Sequence, residues 1–531
     1  MREGRSSRIS ALYLSVLTWC IPEELARSRF SGDNTQSVNA MISIPVAAAK
    51  RGPRKQAGLA LWMERVLEEC DRAGVELAAD PVHDLRVALR RCRSVADGLM
   101  ALDPDPEWKR MKKAGKGLFS SLGELRDVQI MEQWAVSLGS ADDPVIVALM
   151  QSLRSREARL KVEAAGALRE FDRKQWRRWA AALPRRAARL RPGNALFKHL
   201  ALEHWTHAYD LHRRAMRNRS QVALHSLRIG LKRFRYIVEN FLPEQHAAWK
   251  GDLKHLQDLL GEVHDLDVLW ATLVQLRTFP DEESRFRWHG RLVAERAQRV
   301  EAYRAKMLGD GSLWHVWRAR LPQDGEIEAL ALRRLKRWAS FLDPRFQHAQ
   351  HVSRLALRLY DGLPVPVRRP GGPSEDGRAV LQVAAWLHGI GHSTKEKKPE
   401  KAAYRLVARL KPPLGWSAAK LKVAAAVARY HRGALPRVGQ QALRGLTPQQ
   451  RQIVLHLAGM LRLAKAFDVD GSGHIRRLEI SQIRGSILIA AEGYSARDRY
   501  APGIAAARHL LELVYRRPVM VKRLAPGRTR G

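Results

Sequence analysis

The sequence predicts a mostly α-helical protein with a duplicated first part and a small β element towards its C-terminal end. Three observations carry this: apolar residues recurring at three and four positions over most of the 531 residues, an internal repeat of cationic blocks, and one short stretch of alternating β-branched residues. Residues 1–52 read as a poorly ordered tail. Arg2, Arg5 and Arg8 before an apolar stretch imitate a secretory leader, but Pro22, Glu23 and Glu24 follow it without a small-residue cleavage site, and Met41 is an alternative start. Helical periodicity then holds across residues 53–320. A charged segment within 321–340 reads as a linker helix. A second helical block begins at Phe341 and runs to about Asp468, broken by a Pro- and Gly-rich loop over 364–377. Residues 477–483 and 486–491 flank Arg484-Gly485 as a hairpin, a helix follows near 504–515, and a basic tail covers 525–531.

Length and charge narrow the function. A chain of this size exceeds a single core, so two or more domains are expected. Lysine and arginine number 93 against 54 acids, a formal net charge of +39. Such an excess calls for an anionic partner without saying which. Cys20, Cys70 and Cys92 are too few and too far apart for a disulfide framework or a zinc site, and a reducing cytoplasm suits them. No apolar run approaches the roughly 18 residues of a spanning helix, so no membrane partner is expected.

The repeat is the strongest internal signal. HDLRVALRRCRS at 83–94 returns as HSLRIGLKRFRY at 225–236, and LGELRD at 122–127 returns as LGEVHD at 260–265. At about 100° per residue, His83, Arg86, Arg90 and Arg93 fall on one narrow helical stripe beside an apolar stripe of Leu85, Leu89 and Cys92. The second copy sets His225, Arg228, Lys232 and Arg235 beside Leu227, Leu231 and Phe234. Lys112 and Lys116 share a face of the next helix, as do Lys250 and Lys254. Asp97 and Glu239, one turn on, are placed to pair only the last cation of each row. A single basic stripe is often an idle solvated face; the same spacing kept twice points to a binding surface. Arginine suits phosphate because its planar fork donates two parallel hydrogen bonds, and a linear polyanion releases counterions as it crosses such a row. Asp127 and Asp265 are expected to orient a basic side chain rather than to catalyse.

These paired blocks resemble the CHAD domain, the conserved histidine α-helical domain, over roughly residues 53–320. The resemblance implies two pseudo-symmetric four-helix bundles and a basic surface for inorganic polyphosphate. By matched position it implicates His83, Arg86, Arg90, Arg93, Lys112, Lys116, Arg126, His225, Arg228, Lys232, Arg235, Lys250 and Lys254. One departure is His264, which stands where the first copy has Arg126 and carries no permanent charge.

The second block gathers His348, His351, His388, His392, His431 and His456 within HAQHVSRLALRLYDGL, AAWLHGIGH, VARYHRGALP and LRLAKAFD. In that order these pieces resemble the HD-like C-terminal domain of exopolyphosphatase and guanosine pentaphosphatase proteins, over about 341–524. HD hydrolases hold a divalent metal with a His-Asp pair; here Gly389 follows His388, and Lys465 stands in place of a later aspartate. An ammonium there supplies charge but cannot activate water. The resemblance therefore implies a noncatalytic HD-like domain that adds phosphate contacts through His431, Arg432 and Lys465; no cofactor is expected, and zinc held by His348 and His388 is the less favoured alternative.

The expected function is polyphosphate binding in storage, granule association or metabolism, with cytoplasmic or granule localisation and no catalytic residue. Two other functions compete. A metal-dependent phosphohydrolase acting on polyphosphate or nucleotides would need the metal centre that Gly389 and Lys465 interrupt. Nucleic-acid binding is compatible with the charge but not favoured, because no reading module is recognisable and Phe234 and its like sit on apolar faces.

Overall fold

A computed structural model of the protein describes residues 58–363, 374–483 and 485–524. The stretches read as tails and most of the Pro- and Gly-rich loop lie outside the described residues, as does Cys20. Among the described residues are eighteen α-helices and one three-stranded sheet, so the protein is mostly α with a small C-terminal β element.

Six helices make the first half: α1 (Leu59–Val75), α2 (Ala79–Met100), α3 (Pro106–Ala114), α4 (Lys116–Leu138), α5 (Pro144–Glu170) and α6 (Arg173–Ala187). Five make the second: α7 (Ala195–Arg217), α8 (Gln221–Phe241), α9 (Pro243–Leu276), α10 (Glu282–Met307) and the short α11 (Leu313–Ala319). The correspondence is direct. Each half opens with a helical hairpin, carries the cationic repeat on its second helix, and closes with a short helix. The long α9 is matched by α3 and α4, which break at Gly115. A side chain at Gly115 would press on Leu89 and Trp176, so the break is also a close packing point. Boundaries follow local chemistry. Pro106, Pro144 and Pro243 open helices where a missing N–H costs nothing. The side chains of Asp143, Asp172, Asn194, Ser220 and Asp281 each accept from a free N–H of the first turn.

The two halves share one apolar core. Their repeated helices, α2 and α8, pack against each other, and α4 meets α9 beside them. Leu85, Leu89, Cys92, Leu227, Leu231 and Phe234 are fully buried, as the apolar stripes predict. At the seam Asn240 donates to Ser94 Oγ at 3.0 Å, and Gly98 lies directly under the Phe241 ring.

A second core begins on α12 (Asp324–Leu342). This helix covers the segment expected as a linker, yet Leu330 packs into the first core while Ala331, Leu335, Trp338 and Ala339 are buried too, mostly in the second. It also carries Arg334 against α7. There the guanidinium reaches Glu203 at 2.7 Å and His199 at 3.1 Å, and Lys411 adds a second cation to Glu203 at 2.8 Å. Burial raises the Glu203 carboxyl, but Arg334 and Lys411 outweigh it and hold it at about 2. The remaining helices are α13 (Phe346–Gly362), α14 (Ser374–Leu387), α15 (Pro399–Ala408), α16 (Ala418–Arg429), α17 (Pro448–Ala466) and α18 (Ala501–Tyr515). Helix α14 starts at Ser374, inside the expected loop.

The hairpin forms as expected: β1 (Leu478–Ile483) runs antiparallel to β2 (Ser486–Ala491), with Ile483 opposite Ser486 across a turn holding Gly485 at φ 80°. A third strand that the sequence pattern did not show, β3 (Val519–Arg523), runs parallel to β2. Val519, Met520 and Val521 gave too brief a pattern to read as a strand alone; pairing with the buried β2 decides it.

Because Gly98 underlies Phe241 at the seam, Gly98→Val is expected to destabilise the protein by about 1–3 kcal/mol through overpacking. Thermal denaturation would show this as a lowered midpoint.

Candidate functional site

Burying the apolar stripes of α2 and α8 against one core brings their cationic stripes to a common cleft. Lys232 marks its centre: burial, then Arg90, Arg228, Arg86 and Arg235, push its ammonium down to about 8. Five cations from both halves are thus within electrostatic reach of one another. Arg126 of α4 faces the same cluster; burial lowers its guanidinium, opposed by Asp80, Asp127 and Asp265.

Two guanidinium nitrogens here, Arg86 Nη1 and Arg228 Nε, are buried and have no hydrogen-bond partner. A buried donor left unmade costs about 1–3 kcal/mol, so an acceptor reaching these atoms would recover that penalty. Arg86 lies over Gly123, where a Cβ would sit 2.6 Å from Nη1. This accounts for the glycine of the LGELRD block. Gly261, its counterpart, has nothing within 4 Å, so the two copies are not identical.

The carboxylates sit among the cations. Asp127 is exposed to solvent, yet the surrounding protein raises its carboxyl, against the pull of Arg86, Arg228 and Arg156. Solvent access within crowded protein is what a cleft provides. Asp265 is pushed up to about 6 by burial, opposed by Arg228, raised further by Asp127 and Glu262, and eased by a hydrogen bond from Trp134. Arg156 on α5 and Trp134 on α4 carry no repeat signal and were invisible in the sequence. Phe119 was also missed: it stacks under Arg86 at 5.1 Å and Arg93 at 4.9 Å, holding both planes in place.

The expected residues divide in two. Arg86, Arg90, Arg126, Arg228, Lys232 and Arg235 converge. His83 and His225 lie beside them, and burial with the neighbouring arginines lowers both imidazoles. His225 and His264 share a hydrogen bond between their Nδ1 atoms at 3.3 Å, and burial with Arg228 lowers His264 to about 3. The second half therefore has a neutral ring where the first has Arg126. The other residues stand apart. Arg93 donates to the Lys112 carbonyl at 3.4 Å. Lys112 pairs with Asp97, which corrects the expectation that Asp97 pairs the last cation of its own row; the acid reaches across to α3 because Arg93 turns onto Phe119. Glu239 likewise binds Arg91 at 2.5 Å and lies 3.9 Å from Arg235. Lys254 pairs with Asp258 at 3.2 Å, and Lys116 and Lys250 are exposed.

In the second core His348, His388 and His431 form a row. Ring centroids are 5.7 Å apart for the first pair and 5.0 Å for the second. Lys465 lies beside them and, after burial, is the largest influence lowering His388 and His431. A Cβ at Gly389 would overlap the buried Asp343 carboxylate, so the acid that follows the end of α12 fills the space beside His388. Among the described residues, no group of three or more His, Cys, Asp or Glu could hold a metal ion.

Fold and cleft together define a duplicated, cation-lined helical domain joined to a histidine-bearing helical domain with a small sheet. Family comparison gives each part its name. The CHAD domain model matches residues 63–274, and the model of Ppx/GppA phosphatase, domain III, matches residues 336–487. The chain carries a CHAD domain followed by a Ppx/GppA-type domain III. No curated protein matches it. The two domains fit a polyphosphate-related function, and no helix among the described residues is long and apolar enough to cross a membrane.

The Asp265 carboxyl sits at about 6 against an ordinary 3.8, so the folded protein takes up this proton before the unfolded chain does. Stability from that uptake is complete below the ordinary value and is lost as pH rises through about 6. Asp265→Asn is expected to flatten the melting-temperature profile between these limits and to raise the midpoint at neutral pH, as read by thermal denaturation across a pH series.

Proposed function

We propose that the chain binds inorganic polyphosphate along the cleft between α2 and α8, without hydrolysing it, in polyphosphate storage or metabolism and in association with polyphosphate granules. The observation that carries this is the convergence of Arg86, Arg90, Arg228, Lys232 and Arg235, with two buried guanidinium nitrogens unpartnered. Five cations this close repel one another; a chain carrying a negative charge on every phosphate relieves that repulsion along its length. Arg86 and Arg228 act as forks beside the central Lys232, Arg90 and Arg235 extend the contact, and Asp127 and Asp265 keep the guanidinium groups aimed in the absence of ligand. The second domain supports a reading without turnover: by resemblance Gly389 and Lys465 stand where HD hydrolases carry metal-binding carboxylates, and Asp343 fills the space beside His388.

Titration with long polyphosphate at several salt concentrations tests this. Arg86→Ala/Arg228→Ala is expected to weaken binding at least tenfold, about 1.4 kcal/mol, and to shallow the salt dependence. Unchanged affinity would move the site elsewhere, and equal or tighter binding of random RNA would favour nucleic acid as the ligand. Phosphate release from polyphosphate by the purified protein, dependent on a divalent metal, would make it a hydrolase.

A further inference from the structure

The second core holds a polar cluster that the cleft does not use. His388 Nδ1 lies 2.6 Å from the Ala385 carbonyl oxygen, and His431 Nδ1 lies 2.6 Å from that of Ala428. His348 Nδ1 lies 2.8 Å from Asp468 Oδ2. Burial raises the Asp468 carboxyl, but hydrogen bonds from His348 and the Gly473 N–H outweigh it and keep it ionised. All three oxygens only accept, so each Nδ1 carries the ring proton and donates it. Burial and Lys465 lower the His388 and His431 imidazoles, so the Nε2 of each is a lone-pair acceptor, with His348 next to His388 in the row.

The cations form the rest of the surround. Lys465, Arg345, Arg432 and His392 lie within electrostatic reach of one another. Arg432 is shared with Glu400 at 3.1 Å, and the Arg345 N–H donates to Asp343 at 2.9 Å. Lys465 has neither an ion pair nor a hydrogen bond among the described residues. Imidazole acceptors beside an unpaired ammonium and two arginines, with the Glu400 and Asp343 carboxylates only partly offsetting the charge at Lys465, call for a ligand with both a hydroxyl donor and anionic oxygens. A metal ion would suit the imidazoles but would be repelled by Lys465. An inner phosphate of a linear chain is anionic but has no hydroxyl. Orthophosphate and a terminal phosphoryl group have both, because their second proton leaves only near neutrality.

We propose that this cluster binds one orthophosphate or chain-terminal phosphoryl group, its P–OH donating to the imidazole acceptors and its anionic oxygens accepting from Lys465, Arg345 and Arg432. The site is distinct from the cleft in residues and in preference: the cleft takes the run of a chain, the cluster takes an end. Lys465 is lowered by burial and its cationic neighbours, and an anion beside it would raise it back towards its ordinary range.

Equilibrium dialysis of the full chain with radiolabelled orthophosphate tests this, with the Arg86→Ala/Arg228→Ala variant separating cluster from cleft. That variant and the parent are expected to bind about one equivalent alike. Lys465→Met is expected to weaken binding at least about tenfold. His392→Ala, a change at an exposed residue that leaves the core intact, is expected to weaken it measurably even if Lys465→Met unfolds the domain. In the Arg86→Ala/Arg228→Ala background, tripolyphosphate, which has two ends, should displace the label, and cyclic trimetaphosphate, which has none, should not. No binding by the parent, binding indifferent to both Lys465→Met and His392→Ala, or equal displacement by trimetaphosphate would overturn the proposal. So would a stoichiometric metal in the isolated protein whose chelation abolishes phosphate binding. Loss of orthophosphate binding only in the Arg86→Ala/Arg228→Ala variant would place the ion in the cleft and overturn the cluster alone.

Discussion

Like charges crowd in this protein because the apolar stripes next to them have nowhere else to go. Leu85, Leu89 and Cys92 on one helix, and Leu227, Leu231 and Phe234 on the other, all lie in one core. Burying side chains of this kind contributes about 1.5–3 kcal/mol each, enough to press α2 and α8 together against the repulsion of their basic rows. The cationic stripe adjoins the apolar one on each helix, so satisfying the core fixes where the charges go. The unpartnered atoms of Arg86 and Arg228 are a cost carried by that packing, and they sit where charge density is greatest.

The acids temper this arrangement without cancelling it. Outlying cations find partners: Lys112 with Asp97, Arg91 with Glu239, Lys254 with Asp258. Arg86 and Arg228, nearer the centre, face Asp127 and Asp265, both with carboxyls raised by their surroundings. Charge is neutralised at the rim and left in the middle. The imidazoles of His83, His225 and His264 are lowered, so at neutral pH the positive potential of the cleft comes from arginine and lysine.

The helical class, the duplication and the hairpin were legible in the sequence because each rests on periodicity or on repetition. Positions on the stripes were legible too, since helical spacing alone puts 83, 86, 90 and 93 on one face. Which of those residues would meet was not, because that depends on how α2 crosses α8 and on where α4 lies. Arg93 shows the limit: its spacing matches Arg86 and Arg90, yet Phe119 from a neighbouring helix draws it aside. Arg156 and Trp134 act from positions outside the repeat, and strand β3 is decided by a partner some thirty residues earlier. Asp343 beside Gly389 was equally hidden, since the acid lies just past the end of α12, more than forty residues before that glycine in sequence.

The mismatch between Arg126 and His264 bears on how such a molecule came to be one polypeptide. Two identical subunits joined about a symmetry axis must carry every substitution twice, so an arginine at one edge of their shared groove demands an arginine at the other. Tandem fusion of the two copies lifts that requirement. Each half could then drift on its own, and the groove now has a fixed-charge edge at Arg126 and a neutral one at His264, an asymmetry that no dimer of identical subunits could hold.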